Sequence, residues 1–347
     1  MIRRAEELVA AGLVGPERLD DIRRVAERYA VALTPDVAAL IDPADPADPI
    51  AGQFVPRASE LVAAPEERAD PIGDERWSPV PGIVHRHPDR VLLKPILLCP
   101  VYCRFCFRRE SVGKKGAMLD EAGLRRALDY IRAHPEVWEV IVTGGDPFFL
   151  SPRRLAAIVR ALDEIPHIAV IRLHTRVPVV EPRRASPALV AALAAEKAVY
   201  VVIHANHPRE LTEPARQAAT RLLRAGIPLL SQTVLLRGIN DDAAVLGELF
   251  RRLVAMRVKP YYLHHADLAP GTARFRTGIA AGQRLAKELR RDLSGLCQPT
   301  YVLDVPGGWG KVPLAESAAR RGASTGGWIV TDSEGSEHAY PADPDRR

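Results

Sequence analysis

The sequence predicts an α/β protein, a partial (β/α)6 barrel with an N-terminal helical region before it and a polar tail after it. Three observations carry this reading. From Val91 onward, short apolar runs alternate with stretches of helical spacing, and six such repeats imply parallel strands joined by crossover helices. Polar residues cluster directly after those runs, where a barrel presents its active groups, at the carboxyl ends of its strands. The chain before residue 70 has a different rhythm, with apolar residues at three- and four-residue intervals.

The elements follow in order. Residues 3–11, 16–29 and 35–41 have helical spacing. DPADPADPIAGQ (42–53) is a connector, because each proline disfavours helix at the residue before it. Residues 70–90 form a long irregular entry segment. The apolar runs are VLLKPILL (91–98), VWEVIVTG (137–144), HIAVIRLH (167–174), AVYVVIHA (198–205), IPLLSQTVL (227–235) and VKPYYLHH (258–265). Helical stretches such as LRRALDYIRAH and PARQAATRLLRAG separate them, the second stopping at Gly226. Gly144-Gly145-Asp146, His174-Thr175-Arg176, His204-Ala205-Asn206, Gln232 and Asp267 are the polar groups at the ends of the runs. After Thr277 come a helix, the strand PTYVLDV (299–305) and the loop PGGWGK. The expected organisation is a helical region over 1–69, a catalytic barrel over 70–315 and a loosely held tail over 316–347.

Composition excludes several classes. With 47% apolar and 26% charged residues the chain is globular, not disordered. Its net charge of +5 is spread among interleaved acids and bases, without the dense basic run of a nucleic-acid binder. No apolar stretch is long enough to cross a bilayer, and the first residues lack a secretory signal, so a cytoplasmic location is expected.

Three of the four cysteines lie within eight residues: Cys99-Pro-Val-Tyr-Cys103-Arg-Phe-Cys106. Such density suits a metal site in a reducing compartment. Three thiolates at this spacing ligate three irons of a [4Fe–4S] cube and leave the fourth open, whereas a structural zinc site takes four protein ligands. Cys297, far from the others, reads as a small buried hydrophobe.

The C-x3-C-x2-C segment resembles the signature of the radical S-adenosylmethionine superfamily, and Thr143-Gly144-Gly145-Asp146-Pro147 resembles the superfamily segment that holds the methionyl amino group. The resemblance implies a TIM-type partial barrel of the radical SAM type. Four stretches narrow it: CPVYCRFCFRR (99–109), RLHTRVPVVEPRR (172–184), SQTVLLRGINDD (231–242) and PTYVLDVPGGWGKVP (299–313). Over about residues 70–315 the chain is similar to the lysine 2,3-aminomutase family. That resemblance implies interconversion of L-lysine and β-lysine by a 1,2-amino shift on pyridoxal phosphate, started by a 5′-deoxyadenosyl radical.

Residue by residue, the resemblance implies the following roles. Cys99, Cys103 and Cys106 hold the cluster. Lys311 condenses with the pyridoxal phosphate aldehyde, and Arg86 and Arg90 lie near its phosphate, although the family often has tyrosine where His87 stands. Arg108 pairs with the substrate carboxylate, and a guanidinium fork suits that task. Asp267 and Asp304 clasp the substrate ε-ammonium; two carboxylates complement a cation and would repel glutamate. Gly144, Gly145, Asp146, His204, Asn206 and Gln232 belong near S-adenosylmethionine. Partners implied are lysine, an electron donor such as flavodoxin or ferredoxin, and further copies of the chain in a dimer or larger oligomer.

The sequence departs from the family in two further places. Trp309 stands where a glycine is common, which is tolerable if the ring points outward. Asp242 stands where zinc-binding members carry a cysteine, and no extra C-terminal cysteines follow, so no structural zinc is expected. Two alternatives share the chemistry: a branch making (R)-β-lysine for elongation factor P, and a radical aminomutase for another cationic amino acid.

Overall fold

The computed structural model describes residues 1–114, 116–315, 319–321, 328–331 and 335–340. Nine strands form one sheet in strictly sequential order: β1 (Ile83–His87), β2 (Arg90–Ile96), β3 (Glu139–Gly144), β4 (Val170–Thr175), β5 (Ala198–His204), β6 (Leu229–Leu235), β7 (Val258–His265), β8 (Thr300–Asp304) and β9 (Lys311–Pro313). Strands β2 to β8 run parallel, and the antiparallel β1 and β9 form the two edges. The six apolar runs are β2 to β7, and PTYVLDV supplies β8. Because β1 and β9 do not pair, the sheet is a curved, open barrel.

Helices precede and cover the sheet. Four lie in the N-terminal region: α1 (Ala5–Ala10), α2 (Leu19–Arg28), α3 (Pro35–Ala38) and α4 (Pro49–Phe54). The crossovers are α5 (Glu121–Arg132), α6 (Pro152–Asp163), α7 (Val177–Val180), α8 (Pro187–Ala191), α9 (Glu213–Arg224), α10 (Ala243–Ala255) and α11 (Ile279–Asp292). Their starts are written in the sequence. Asp120, Ser151, Thr212 and Asp242 each accept a backbone N–H in the first turn, and proline follows Ser151 and Ser186 at the first helical position. Asp242, which replaces the expected zinc-site cysteine, is thus the N-cap of α10.

Strand alternation divides the two faces. On β4, Ile171 and Leu173 are buried in the hydrophobic core, while Arg172 and His174 face the barrel interior. The core beneath α6 takes Leu155, Ile158 and Leu162, at helical spacing. Leu8, Ile22, Leu33, Ile50 and Phe54 of the N-terminal region belong to the same continuous core. Cys297 is buried within it as well. Within the stretch read as a tail, a small antiparallel sheet forms from β10 (Ala319–Arg321), β11 (Trp328–Thr331) and β12 (Glu337–Tyr340).

The loop between β8 and β9 positions one key residue. Gly307, Gly308 and Gly310 all have positive φ (87°, 88° and 92°), which side-chain-bearing residues rarely adopt. The turn they form brings Lys311 into register directly opposite Asp304. Trp309 is 68% exposed at the tip, with the Arg76 guanidinium 5.0 Å from its ring centre, so the unusual residue points outward.

Candidate active site

A cavity of about 540 Å³ opens at the carboxyl ends of the parallel strands. Of the residues singled out in the sequence, Cys99, Cys103, Cys106, Arg86, Arg90, Arg108, Gly144, Gly145, Asp146, His204, Gln232, Asp267, Asp304 and Lys311 all line it. Asn206 does not: it is fully buried behind the wall. Its Oδ1 meets His204 Nε2 at 3.0 Å and accepts from Val234 N at 2.9 Å, while its Nδ2 donates to Gln53 Oε1 at 2.9 Å. Asn206 therefore orients His204 instead of facing the cavity.

The cysteine loop follows β2 and is bolted to the N-terminal region. Arg104, between two of the cysteines, is buried with Glu60: Nη2 lies 2.6 Å and Nε 2.9 Å from Glu60 Oε2. Arg109 reaches the same carboxylate. Backbone bonds from Arg104 N to Gln53 O (2.8 Å) and Tyr102 N to Ala32 O (3.1 Å) complete the attachment. All three cysteines are free thiols. Burial pushes their pKa values up, that of Cys106 to about 11, so without metal they stay protonated. Three convergent thiols in a protein pocket fit a [4Fe–4S] cluster, whose irons displace those protons.

Next to this loop, β3 ends in the glycine pair. Gly144 has φ +104°, and a Cβ on Gly145 would sit 2.4 Å from Leu98 O. Gly145 N donates to Ile96 O at 2.7 Å and Asp146 N to Leu98 O at 3.0 Å, which stitches the end of β3 to the end of β2 and to the residue just before Cys99. The Asp146 carboxylate is consumed in the wall. It accepts from Thr175 Oγ1 (2.7 Å), Arg176 N (2.7 Å), Phe148 N (3.0 Å) and Val177 N (3.2 Å). Its job is to lock the ends of β3 and β4 together.

The opposite side of the cavity holds the charged groups. Lys311 Nζ donates to both oxygens of Asp304, at 2.8 and 2.6 Å. Burial pushes the Asp304 carboxyl up, but His264 and Lys311 outweigh it and hold the group well below the usual carboxylate range. Asp267 has the opposite balance. Burial, and then the charge of Asp304, raise its pKa to about 7. Arg86 Nη2 donates to Ile72 O (2.6 Å) and Asp74 Oδ1 (3.3 Å). Arg90 is partly exposed and pairs with Asp89 at 2.7 Å. Arg86 Nε and His174 Nε2 are buried at the cavity without a protein partner. Buried nitrogens without a protein partner, on the same cavity as Lys311, fit an anionic, heteroatom-rich cofactor such as pyridoxal phosphate.

Sequence reasoning missed the side chains that hold the buried cations. The acids Asp74, Glu60 and Glu210 and the Gln53 amide lie in segments without strand or motif rhythm, and nothing local marks them. Arg104 offered a faint signal, being a charged residue inside a loop that must bury its cysteines.

A curved parallel sheet with three thiols after its first parallel strand and a glycine pair after the next defines a radical SAM enzyme, and the Radical SAM superfamily model matches residues 93–246. The chain is 42% identical over 313 residues to the L-lysine 2,3-aminomutase of Acetoanaerobium sticklandii, covering 90% of this chain and 76% of that protein. It is 41% identical to the L-lysine 2,3-aminomutase of Clostridium subterminale (90% and 75%) and 38% identical to the glutamate 2,3-aminomutase of Clostridioides difficile (84% and 69%). The chain belongs to the lysine 2,3-aminomutase family. It is an isomerase of the radical SAM aminomutase kind, a class built on a [4Fe–4S] cluster and S-adenosylmethionine. No helix among the described residues is long and apolar enough to cross a membrane.

Proposed function

We propose that the protein interconverts L-lysine and β-lysine, with pyridoxal phosphate carried on Lys311. The observation that carries this reading is the acidic pair, Asp267 and Asp304, on the cavity wall with Arg108. A substrate with a carboxylate at one end and an ammonium at the other is complementary to that arrangement, whereas the side chain of glutamate would meet two carboxylates.

The cluster with S-adenosylmethionine would supply a hydrogen-abstracting radical, and pyridoxal phosphate a carrier for the migrating nitrogen. The chain's own groups do the rest. Cys99, Cys103 and Cys106 would hold the cluster, and the Gly144–Gly145 backbone, His204 and Gln232 the cosubstrate beside it. Arg86 and Arg90 would face the pyridoxal phosphate, and Lys311 Nζ would hold its reactive carbon. Once Lys311 Nζ is so engaged, Asp304 gives up one cation and is available to another. In the ligand-free site His264 and Lys311 hold its carboxyl ionised, and the cation of a bound substrate would take the place that Lys311 leaves. Arg108 would fix the substrate carboxylate and the two aspartates its ammonium, so both ends are held while the central carbons react.

Anaerobically reconstituted protein, supplied with pyridoxal phosphate, S-adenosylmethionine, a reductant and either L-lysine or L-glutamate, tests this. β-Lysine is the expected product, and chiral chromatography gives its hand, which separates the elongation-factor branch from other uses. β-Glutamate alone, or no product from lysine with cluster and cofactor bound, would overturn the reading.

A further inference from the structure

Arg176 follows β4 and is held from many sides. Its backbone N–H donates to Asp146 Oδ2 at 2.7 Å. Nη2 donates to Gln53 Oε1 (2.6 Å) and Glu210 Oε2 (2.7 Å). Its guanidinium carbon lies 4.6 Å from the ring centre of Phe54 and 5.5 Å from that of Phe105. Glu210 is itself buried and fixed, accepting from the backbone N–H groups of Asn206 and His207 at 3.0 Å. The hand left over, Nη1, donates to Cys103 Sγ at 2.8 Å. Nε is buried and unpaired at the cavity. A buried ion pair meant only to join two segments would not need to aim one donor at a sulfur.

We propose that Arg176 is a positioning residue for the iron–sulfur cluster, donating to the Cys103 sulfur and raising the cluster's electron affinity, with Glu210 as the opposing charge that moderates it. The inference rests on the reading of Cys103 as a cluster ligand, and on neither lysine nor pyridoxal phosphate. The physical reason is electrostatic. Reduction adds one negative charge to the cluster, and a fixed cation with an N–H···S bond stabilises the reduced form more than the oxidised form. The low dielectric around these buried groups magnifies the effect. A carboxylate 2.7 Å from the same guanidinium works in the opposite sense.

This predicts shifts of opposite sign from two variants that break the same ion pair. The measurement is a redox titration followed by electron paramagnetic resonance, on the reconstituted full chain without lysine or pyridoxal phosphate. Arg176→Gln is expected to lower the reduced-to-oxidised ratio at a fixed potential about tenfold, equivalent to a shift of about 59 mV toward more negative potential for one electron. Glu210→Gln is expected to shift the potential toward more positive values. Arg176→Lys, which keeps the cation, is expected to recover most of the wild-type value. If Arg176→Gln does not retain its iron, Glu210→Gln and Arg176→Lys still decide. A potential equal to wild type in Glu210→Gln or in cluster-bearing Arg176→Gln, a loss in Arg176→Lys as large as that expected for Arg176→Gln, or shifts of the same sign from Arg176→Gln and Glu210→Gln, would overturn the proposal. Failure of the wild-type chain to bind a cluster would overturn the functional reading itself.

Discussion

Asp74 and Arg108 make a two-point contact: Nη2 and Nε of Arg108 donate to Asp74 Oδ2 at 2.8 and 3.2 Å. The same carboxylate lies 3.3 Å from Arg86 Nη2 and 3.6 Å from Lys94 Nζ. Burial pushes the Asp74 carboxyl up, but Arg108, Lys94 and Arg86 reverse that and hold it ionised. One acid thus fixes the arginine proposed for the substrate carboxylate and the one proposed for pyridoxal phosphate. It uses one edge of Arg108 and leaves Nη1 for a ligand.

Asp74→Asn should therefore loosen Arg108. The expected outcome is a rise in KM for lysine of about tenfold or more, the factor carried by a charge-assisted hydrogen bond of about 1.5 kcal/mol. Iron content and the cluster's spectrum should not change. Steady-state kinetics with iron analysis checks this.

Asp267 should make lysine binding depend on pH. Its pKa of about 7 in the ligand-free site means that it is largely protonated below that value and ionised above it. A cationic side chain binds the ionised form, so KM should fall as pH rises through about 7 and then level off. Below it, KM should rise about tenfold per pH unit. Asp267→Asn should raise KM and abolish this limb; a KM independent of pH between 6 and 8 in the wild type would refute the assignment.

Lys311→Ala should lose the visible absorption of bound pyridoxal phosphate, and turnover with it, while iron content stays at the wild-type level. Lys311 gives its hydrogen bonds to Asp304 on β8, an element apart from the cysteine loop. Absorption spectra of the dialysed protein separate the two cofactors.

Glu60→Ala strips the buried counter-ion from Arg104 and Arg109, both of which are at least 95% buried. Removing one partner of such a group costs about 3–5 kcal/mol. A lower denaturation midpoint and poorer cluster retention should appear together, because the guanidinium groups anchor the cysteine loop.

Gly145→Ala should prevent the β3 end from docking on the cysteine loop. Its new methyl would meet Leu98 O at 2.4 Å and Leu98 N at 2.7 Å, both of them backbone atoms that cannot swing aside. Loss of S-adenosylmethionine binding, measured calorimetrically on the cluster-loaded protein, is expected.

Much of this architecture was legible in local pattern. The apolar runs are self-contained signals, since the face of each strand turned to the helices must be apolar, and each run forms a parallel strand. The caps Asp120, Ser151 and Thr212 act within one turn of their own chain. The cysteine triplet and the glycine pair are short-range as well, for neither can work unless its members are close in sequence. Asn206 shows where this reasoning ends. It carries a polar group at a strand end, as the cavity residues do, but its local rotation sends the side chain into the wall. Trp309 could be placed outside only once the turn of Gly307, Gly308 and Gly310 was known.

The sequence by itself determined the order of the parallel strands β2 to β8, the three-cysteine motif and a lysine in a glycine-rich turn, because periodicity and motif spacing are set by neighbouring residues, whereas β1, in the segment read as irregular, and the edge strand β9 carried no such pattern. Tertiary structure alone decided which charges neutralise which. Asp74 finds Arg108 across 34 residues, Glu60 finds Arg104 across 44, and Glu210 finds Arg176 across 34. Those pairings come from segments that loop over the strand ends, and no local pattern encodes them. They arise because a buried guanidinium must find its acceptors wherever the folded chain brings them.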